Sequence, residues 1–203
     1  MANSQHEIPL ILASSSPRRG ALLRQAGIAF GVASPPFCEP AGLLANLTPA
    51  QQTEALAYFK ARSVQRDHRD AFLLGADTLA SIEGRALGKP ADAAEAHSML
   101  ESLSGTRHEV TTGVALLGPA RGRLIASETT RVTMRRMTGS EIDGYVSSGE
   151  WRGKAGAYAL QETADRFIRD ISGSFSNVVG LPIELVTRMI DELRQRPKAH
   201  KTT

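Results

Sequence analysis

Short apolar runs alternate with amphipathic stretches along almost the whole chain. Residues 8–13 form an apolar run of strand length that ends in three serines. Leu22, Leu23 and Ala26 then recur at helical spacing, with Ser16 placed to cap, Pro17 suited to the first helical position and Gly27 to end the helix. Further strands are predicted over residues 28–33, 72–76, 109–117, 124–134 and 167–171, the middle ones rich in β-branched residues. Helices announce themselves by their caps. Thr48 and Gln51 have capping-box spacing and open a helix to about residue 65. Asp92 and Glu95 repeat the device ahead of Ala96, Met99, Leu100 and Leu103, with Gly105 as the stop, and Thr138 with Glu141 leads into Ile142, Tyr145 and Val146. Pro182 starts a last helix that buries Ile183, Val186, Ile190 and Leu193.

Alternating strands and helices predict an α/β layer structure. Two of the strands are separated only by residues 118–122, which contain Gly118, Pro119 and Gly122 and read as a hairpin loop. The predicted fold is therefore a mixed, twisted sheet flanked by helices. The 203 residues, 41% hydrophobic and 22% charged, suit one folding unit over residues 1–193, followed by a basic tail over 194–203. With 24 basic against 21 acidic residues the net charge is +3, and several of the surplus charges lie in that tail. A nucleic-acid partner is not expected from so small a surplus. Cys38 is the only cysteine, which excludes an internal disulfide; it lacks the spacing of a zinc site and reads as a packing residue rather than a nucleophile. No run approaches the ~20 apolar residues of a membrane span, and no leader pattern opens the chain, so a cytoplasmic setting is expected.

Candidate chemistry begins where the first strand meets the first helix. A helix N-terminus carries partial positive charge and free N–H donors, yet Arg18 and Arg19 occupy the first turn where acids normally stand. Together with the hydroxyls of Ser14 and Ser16 they make a phosphate cradle, or else a solvated arginine pair. Asp77, in Gly75-Ala76-Asp77-Thr78, follows a buried strand, and reads either as a metal ligand and general base or as an Asx turn. Lys89 is fixed between Gly88 and Pro90, a placement suited to a phosphate. Lys60 sits at the edge of an apolar helix face, where snorkelling is the simpler account. Glu39 stands between prolines and could join Asp77 on a hard cation. Downstream, the glycine-punctuated run from Gly149 carries Arg152, Lys154 and the amide of Gln161, whose donor and acceptor can read a base edge. The small-residue segment from Ser172 to Pro182 is a second anion site or a plain connection. None of the five histidines pairs with Ser or Cys in a hydrolase arrangement.

Five motifs in order, Ala13-Ser14-Ser15-Ser16-Pro17-Arg18-Arg19, Gly75-Ala76-Asp77-Thr78, Leu87-Gly88-Lys89-Pro90, Lys154-Ala155-Gly156-Ala157-Tyr158 with Gln161, and Asn177-Val178-Val179-Gly180-Leu181-Pro182, closely resemble the Maf family of nucleotide pyrophosphatases. The likeness spans about residues 10–193. It implies an inosine triphosphatase-like α/β fold with two lobes around a cleft, commonly a homodimer. It further implies a cytoplasmic hydrolase that uses a divalent cation (Mg²⁺, Mn²⁺ or Co²⁺) to split nucleoside triphosphates into monophosphate and pyrophosphate. The Ser-Pro-Arg-Arg and Ala-Asp-Thr patterns are similar to the branch acting on dTTP and UTP. On that resemblance Asp77 accepts the proton, and Arg18, Lys60 and Lys89 bind phosphates. Glu39 helps Asp77 to hold metal, while Arg19, Thr78 and Gln161 lie where the base is selected. Two departures stand out: Glu162 follows Gln161 where the family has glycine, and Gly153 replaces an aspartate. The alternative within the same family is a nucleotide-binding regulator of septum formation whose output is binding rather than turnover.

Overall fold

In the computed structural model, which describes residues 8–36, 44, 46–119, 122–160 and 163–196, the apolar runs become the strands of one seven-stranded sheet. The elements run β1 (Leu10–Ala13), α1 (Pro17–Gln25), β2 (Gly31–Ala33), α2 (Pro49–Ser63), β3 (Phe72–Ile82), β4 (Arg85–Leu87) and α3 (Ala93–Leu103). They continue as β5 (Arg107–Leu117), β6 (Arg123–Met134), α4 (Gly139–Ser148), β7 (Ile168–Ser172), α5 (Phe175–Val179) and α6 (Ile183–Gln195). Strand order is β2-β1-β3-β5-β6-β7, with β4 paired to β3. Strands β2, β1 and β3 are parallel, and every other pairing is antiparallel. The expected mixed sheet and the expected β5–β6 hairpin are both present.

Four elements differ from the sequence reading. Strand β3 does not stop at residue 76 but runs to Ile82, because Ala80 and Ser81 continue to bury, and it turns back only at Glu83 and Gly84, where φ is 49° and 77°. The predicted strand over 28–33 shrinks to three residues, since Ile28 and Phe30 pack on the core from outside the ladder. Phe167 is drawn into the core by a 3₁₀ turn, which delays the last strand to Ile168. The segment from Ser172, read as anion site or connection, contains the short helix α5, whose Asn177 N–H donates to the Ser174 hydroxyl at 3.2 Å. No helix among the described residues is long and apolar enough to cross a membrane.

The sheet carries separate cores. On one face Leu12, Leu74, Val114 and Leu116 pack with Leu23 of α1, Val178 of α5 and Val186 and Ile190 of α6. On the other, Leu73, Ala115 and Leu117 meet Ala57 and Ala61 of α2. Beyond β1 the long strands reach a further core of Leu100, Leu103, Ile142, Tyr145, Trp151 and Phe167 beneath α3 and α4. Each fully buried leucine contributes about 1.5–3 kcal/mol relative to exposure. These cores define the expected two lobes, and β3 and β5 run through both. The cleft follows from a gap in the pairing. Strand β1 ends at Ala13 opposite Gly75, and β4 begins to pair only at Ala80, so among the described residues 76–79 of β3 have a strand neighbour on one side only.

Candidate active site

Asp77 and Thr78 lie in the middle of that gap, at the switch in strand direction where α/β sheets collect ligand-binding groups. Because neighbouring strand residues face opposite ways, Asp77 shares the face covered by α2 while Thr78 shares the face covered by α1 and α5. Two glycines bring α2 unusually near. A Cβ on Gly75 would stand 2.1 Å from the Ala57 carbonyl oxygen, and one on Gly113, which pairs with Asp77, would stand 2.2 Å from the Thr53 carbonyl carbon. With the helix backbone lying on the sheet, Lys60, one turn beyond Ala57, places its Nζ 2.5 Å from Asp77 Oδ1. Lys60 is thus engaged with the carboxylate at the centre of the site, rather than snorkelling to solvent.

The turn between β1 and α1 supplies the opposite group. Ser14 is buried, and its hydroxyl oxygen accepts from Ser16 N–H at 3.2 Å and Arg19 Nη1 at 3.1 Å. Ser16 stands at the N-cap as expected but makes no side-chain cap bond, and no acid occupies the first turn of α1. Arg19 lies across the helix end, with Nε donating to the Gly180 carbonyl at 2.8 Å and Nη2 to Thr78 Oγ1 at 3.2 Å. Burial lowers the pKa of its guanidinium, opposed by the charge of Asp77 and assisted by that of Arg18.

The far wall of the cleft comes from the second lobe. Lys89 follows β4 on an exposed turn, and Gly88 carbonyl accepts from Gly156 N–H at 3.0 Å, which ties this turn to the Lys154–Tyr158 segment. Gly156 and Ala157 both take left-handed backbone, with φ of 69° and 66°. Lys154 is buried, and burial, then the nearby Arg18, lowers its pKa. Tyr158 hydroxyl stands 2.6 Å from His108 Nε2, a ring that burial keeps neutral by lowering its pKa to about 4. The cleft holds about 360 Å³, and its described lining has five cations, Arg18, Arg19, Lys60, Lys89 and Lys154, against the single carboxylate of Asp77. Such a field attracts a polyanion.

A family model described as Maf-like protein matches residues 9–193. The chain belongs to the Maf family. Two curated relatives cover nearly all of it: dTTP/UTP pyrophosphatase of Pelotomaculum thermopropionicum, 46% identical over 89% of this chain and 94% of that protein, and dTTP/UTP pyrophosphatase of Symbiobacterium thermophilum, 48% identical over 90% and 93%. A solved structure of a HAM1 protein from Coxiella burnetii is 20% identical with a TM-score of 0.50, covering 92% of this chain and 100% of that one, and it shares the fold.

Of the residues expected in the Maf site, the first-helix group, Lys60, Asp77, Thr78 and Lys89 line one cleft, although they come from five separate elements and turns. Cys38, Glu39, Gln161 and Glu162 lie outside the described residues. Gly153 lines the cleft with φ of 71° and open space where a Cβ would stand. Sequence reasoning gave no role to Lys154 or to the His108–Tyr158 pair. The Lys154 motif was in view, but burial of a lysine has no signal in a single sequence. His108 lies 50 residues from its partner, and only the tertiary fold brings the two together.

Proposed function

We propose that this Maf protein hydrolyses nucleoside triphosphates, dTTP and UTP among them, to the monophosphate and pyrophosphate. The names of its relatives support the reaction class, and the observation that carries the reading is Asp77 itself: a lone carboxylate among the described cleft residues, held by Lys60, within a ring of cations.

Arg18, Lys89 and the serine turn would bind the triphosphate, with Lys60 reaching it from α2. Lys60 engages Oδ1 of Asp77, so the other carboxylate oxygen takes the proton as water attacks the α-phosphorus. One P–O bond forms from the water, the bond to the α–β bridging oxygen breaks, and its electron pair leaves with pyrophosphate. Arg18 and Lys60 of the first wall offset the charge that develops on the leaving group. The donor set also fits a hard divalent cation. No group of three acidic, His or Cys side chains among the described residues could hold one alone, but such ions commonly use one or two carboxylates and complete their shell with substrate phosphates and water. Asp77 would hold it, with Glu39 as the expected partner, and when bound it would polarise the phosphate and neutralise its charge.

Pyrophosphate release from dTTP, UTP, CTP and 7-methyl-GTP, with Mg²⁺, Mn²⁺, Co²⁺ or chelator, tests this directly. Turnover of dTTP and UTP that requires metal and falls about 10²–10⁴-fold in Asp77→Asn is expected. A binding regulator of septum formation would need the cations but not the acid, so near-normal behaviour of Asp77→Asn, or no turnover at all, would favour that alternative. A homodimer in a cytoplasmic setting belongs to the same family reading, and light scattering would check the assembly.

A further inference from the structure

Arg19, Thr78, Thr112 and Asn177 form a chain of hydrogen bonds whose direction can be assigned. An arginine only donates, so Thr78 Oγ1 accepts from Arg19 Nη2. Thr112 stands opposite Thr78 in the β3–β5 ladder, with the two hydroxyl oxygens 2.9 Å apart. The Thr112 hydroxyl also lies 3.1 Å from the backbone carbonyl of Asn177, which can only accept. With its one proton given to that carbonyl, Thr112 accepts from Thr78. The other acceptor near Thr78, the Gly180 carbonyl, is 3.4 Å away and already takes Arg19 Nε at 2.8 Å. The chain therefore runs from Arg19 to Thr78 to Thr112 to the Asn177 carbonyl. Its inner end is fixed, because Thr112 and Asn177 are fully buried and Asn177 Nδ2 donates to Val110 carbonyl at 2.9 Å and Thr130 Oγ1 at 3.0 Å.

Thr78 is half-buried and lines the cleft, yet its only proton is committed to the protein interior. A ligand atom that reaches this oxygen meets a lone pair. Beside it Arg19, with three of its five N–H groups used, offers donors. We propose that Thr112 is a positioning residue that fixes Thr78 as an acceptor, so that Thr78 and Arg19 together read a ring N–H beside a carbonyl, the imide edge of uracil- and thymine-type bases. Cytosine offers a bare nitrogen and an amino group at the same edge, which sets lone pair against lone pair and N–H against N–H. This deepens the pyrophosphatase reading and rests on it.

Comparing kcat/KM for UTP and CTP in wild type, Thr112→Val and Thr112→Ser tests the inference, with UMP and CMP binding measured by calorimetry as a readout that needs no turnover. Valine removes the acceptor for the Thr78 proton at nearly constant volume, and Thr112→Ala serves if valine prevents folding. The preference for uracil over cytosine is expected to fall about tenfold or more in the valine or alanine variant and to return to within about threefold of wild type in Thr112→Ser. A valine or alanine variant that keeps the wild-type preference, a serine variant that does not restore it, or a wild type that does not prefer UMP to CMP would overturn it. Preferential UMP binding without pyrophosphate release from any nucleotide would instead remove the pyrophosphatase reading while leaving the base edge assigned.

Discussion

The two walls of the cleft are held in place by different physics. On the wall of the first lobe, Ser14, Arg19, Lys60, Asp77 and Thr78 are fixed by side-chain hydrogen bonds and an ion pair, with α2 packed closely on one face of β3 and Arg19 of α1 reaching Thr78 on the other. On the wall of the second lobe, Lys89 and Lys154 stand on turns shaped by left-handed backbone, and among the described residues a backbone hydrogen bond from Gly156 to Gly88 joins the turns while Tyr158 packs beneath them. In the proposed reaction the acid Asp77 and its partner Lys60 sit in the bonded wall, while Lys89 and Lys154 would supply positive charge from the turns, where a small shift costs less binding than it would cost chemistry.

The largest blow to this contrast would fall on the glycine track under α2. Gly113→Val places side-chain atoms where the Thr53 backbone lies, and the helix cannot retreat without parting Lys60 from Asp77. A loss of about 3 kcal/mol, seen as a fall in Tm of roughly 6–12 °C, is expected together with loss of turnover. Unchanged melting would mean that α2 does not owe its position to the glycines.

A second change probes the other wall through protons. His108 is neutral and buried against Tyr158, with a folded pKa of about 4 against an unfolded value near 6.5. As pH falls through 6.5 the unfolded chain binds a proton that the folded chain refuses, so stability drops between pH 6.5 and 4 and levels off below 4. The drop amounts to about 3 kcal/mol at most. Urea unfolding of wild type and His108→Gln across that range isolates the effect, because the carboxylates titrate alike in both proteins. A slope equal in the two proteins would show that His108 is not held neutral.

What the sequence disclosed follows the same division. Caps, apolar spacing and the hairpin loop are local, and α2, α3, α4 and the β5–β6 pair follow from them. Asp77 and Lys89 could be singled out because an apolar run before the one and a Gly-Lys-Pro turn around the other are local signals, the two arginines at a helix start pointed to Arg18 and Arg19, and the family motif drew in Thr78. The engagement of Lys60 with Asp77 was not legible, since it depends on backbone contacts at Gly75 and Gly113, and a single sequence does not show why a strand glycine is there. The extension of β3 past Asp77 was hidden for a related reason: Asp and Thr in mid-strand look like the end of an apolar run when their partners on α2 and β5 are unseen.

The smallest effect should come from Gly156→Ala, which separates charge placement from chemistry. At φ of 69° alanine is strained by about 1–2 kcal/mol, and its Cβ would lie 3.1 Å from that of Ala80. Relief requires the Lys154–Tyr158 turn to shift, and the hydrogen bond from Gly156 N–H carries the displacement to Gly88 and so to Lys89. The hydrogen bonds described for Asp77 and Arg19 run to Lys60, Ser14, Thr78 and Gly180, away from that turn. KM is therefore expected to rise about three- to tenfold while kcat stays within about twofold, because uniform phosphate binding is weakened and the proton acceptor is untouched. A matching fall in kcat would show that the second wall also contributes to the transition state, and the division between the walls would have to be redrawn.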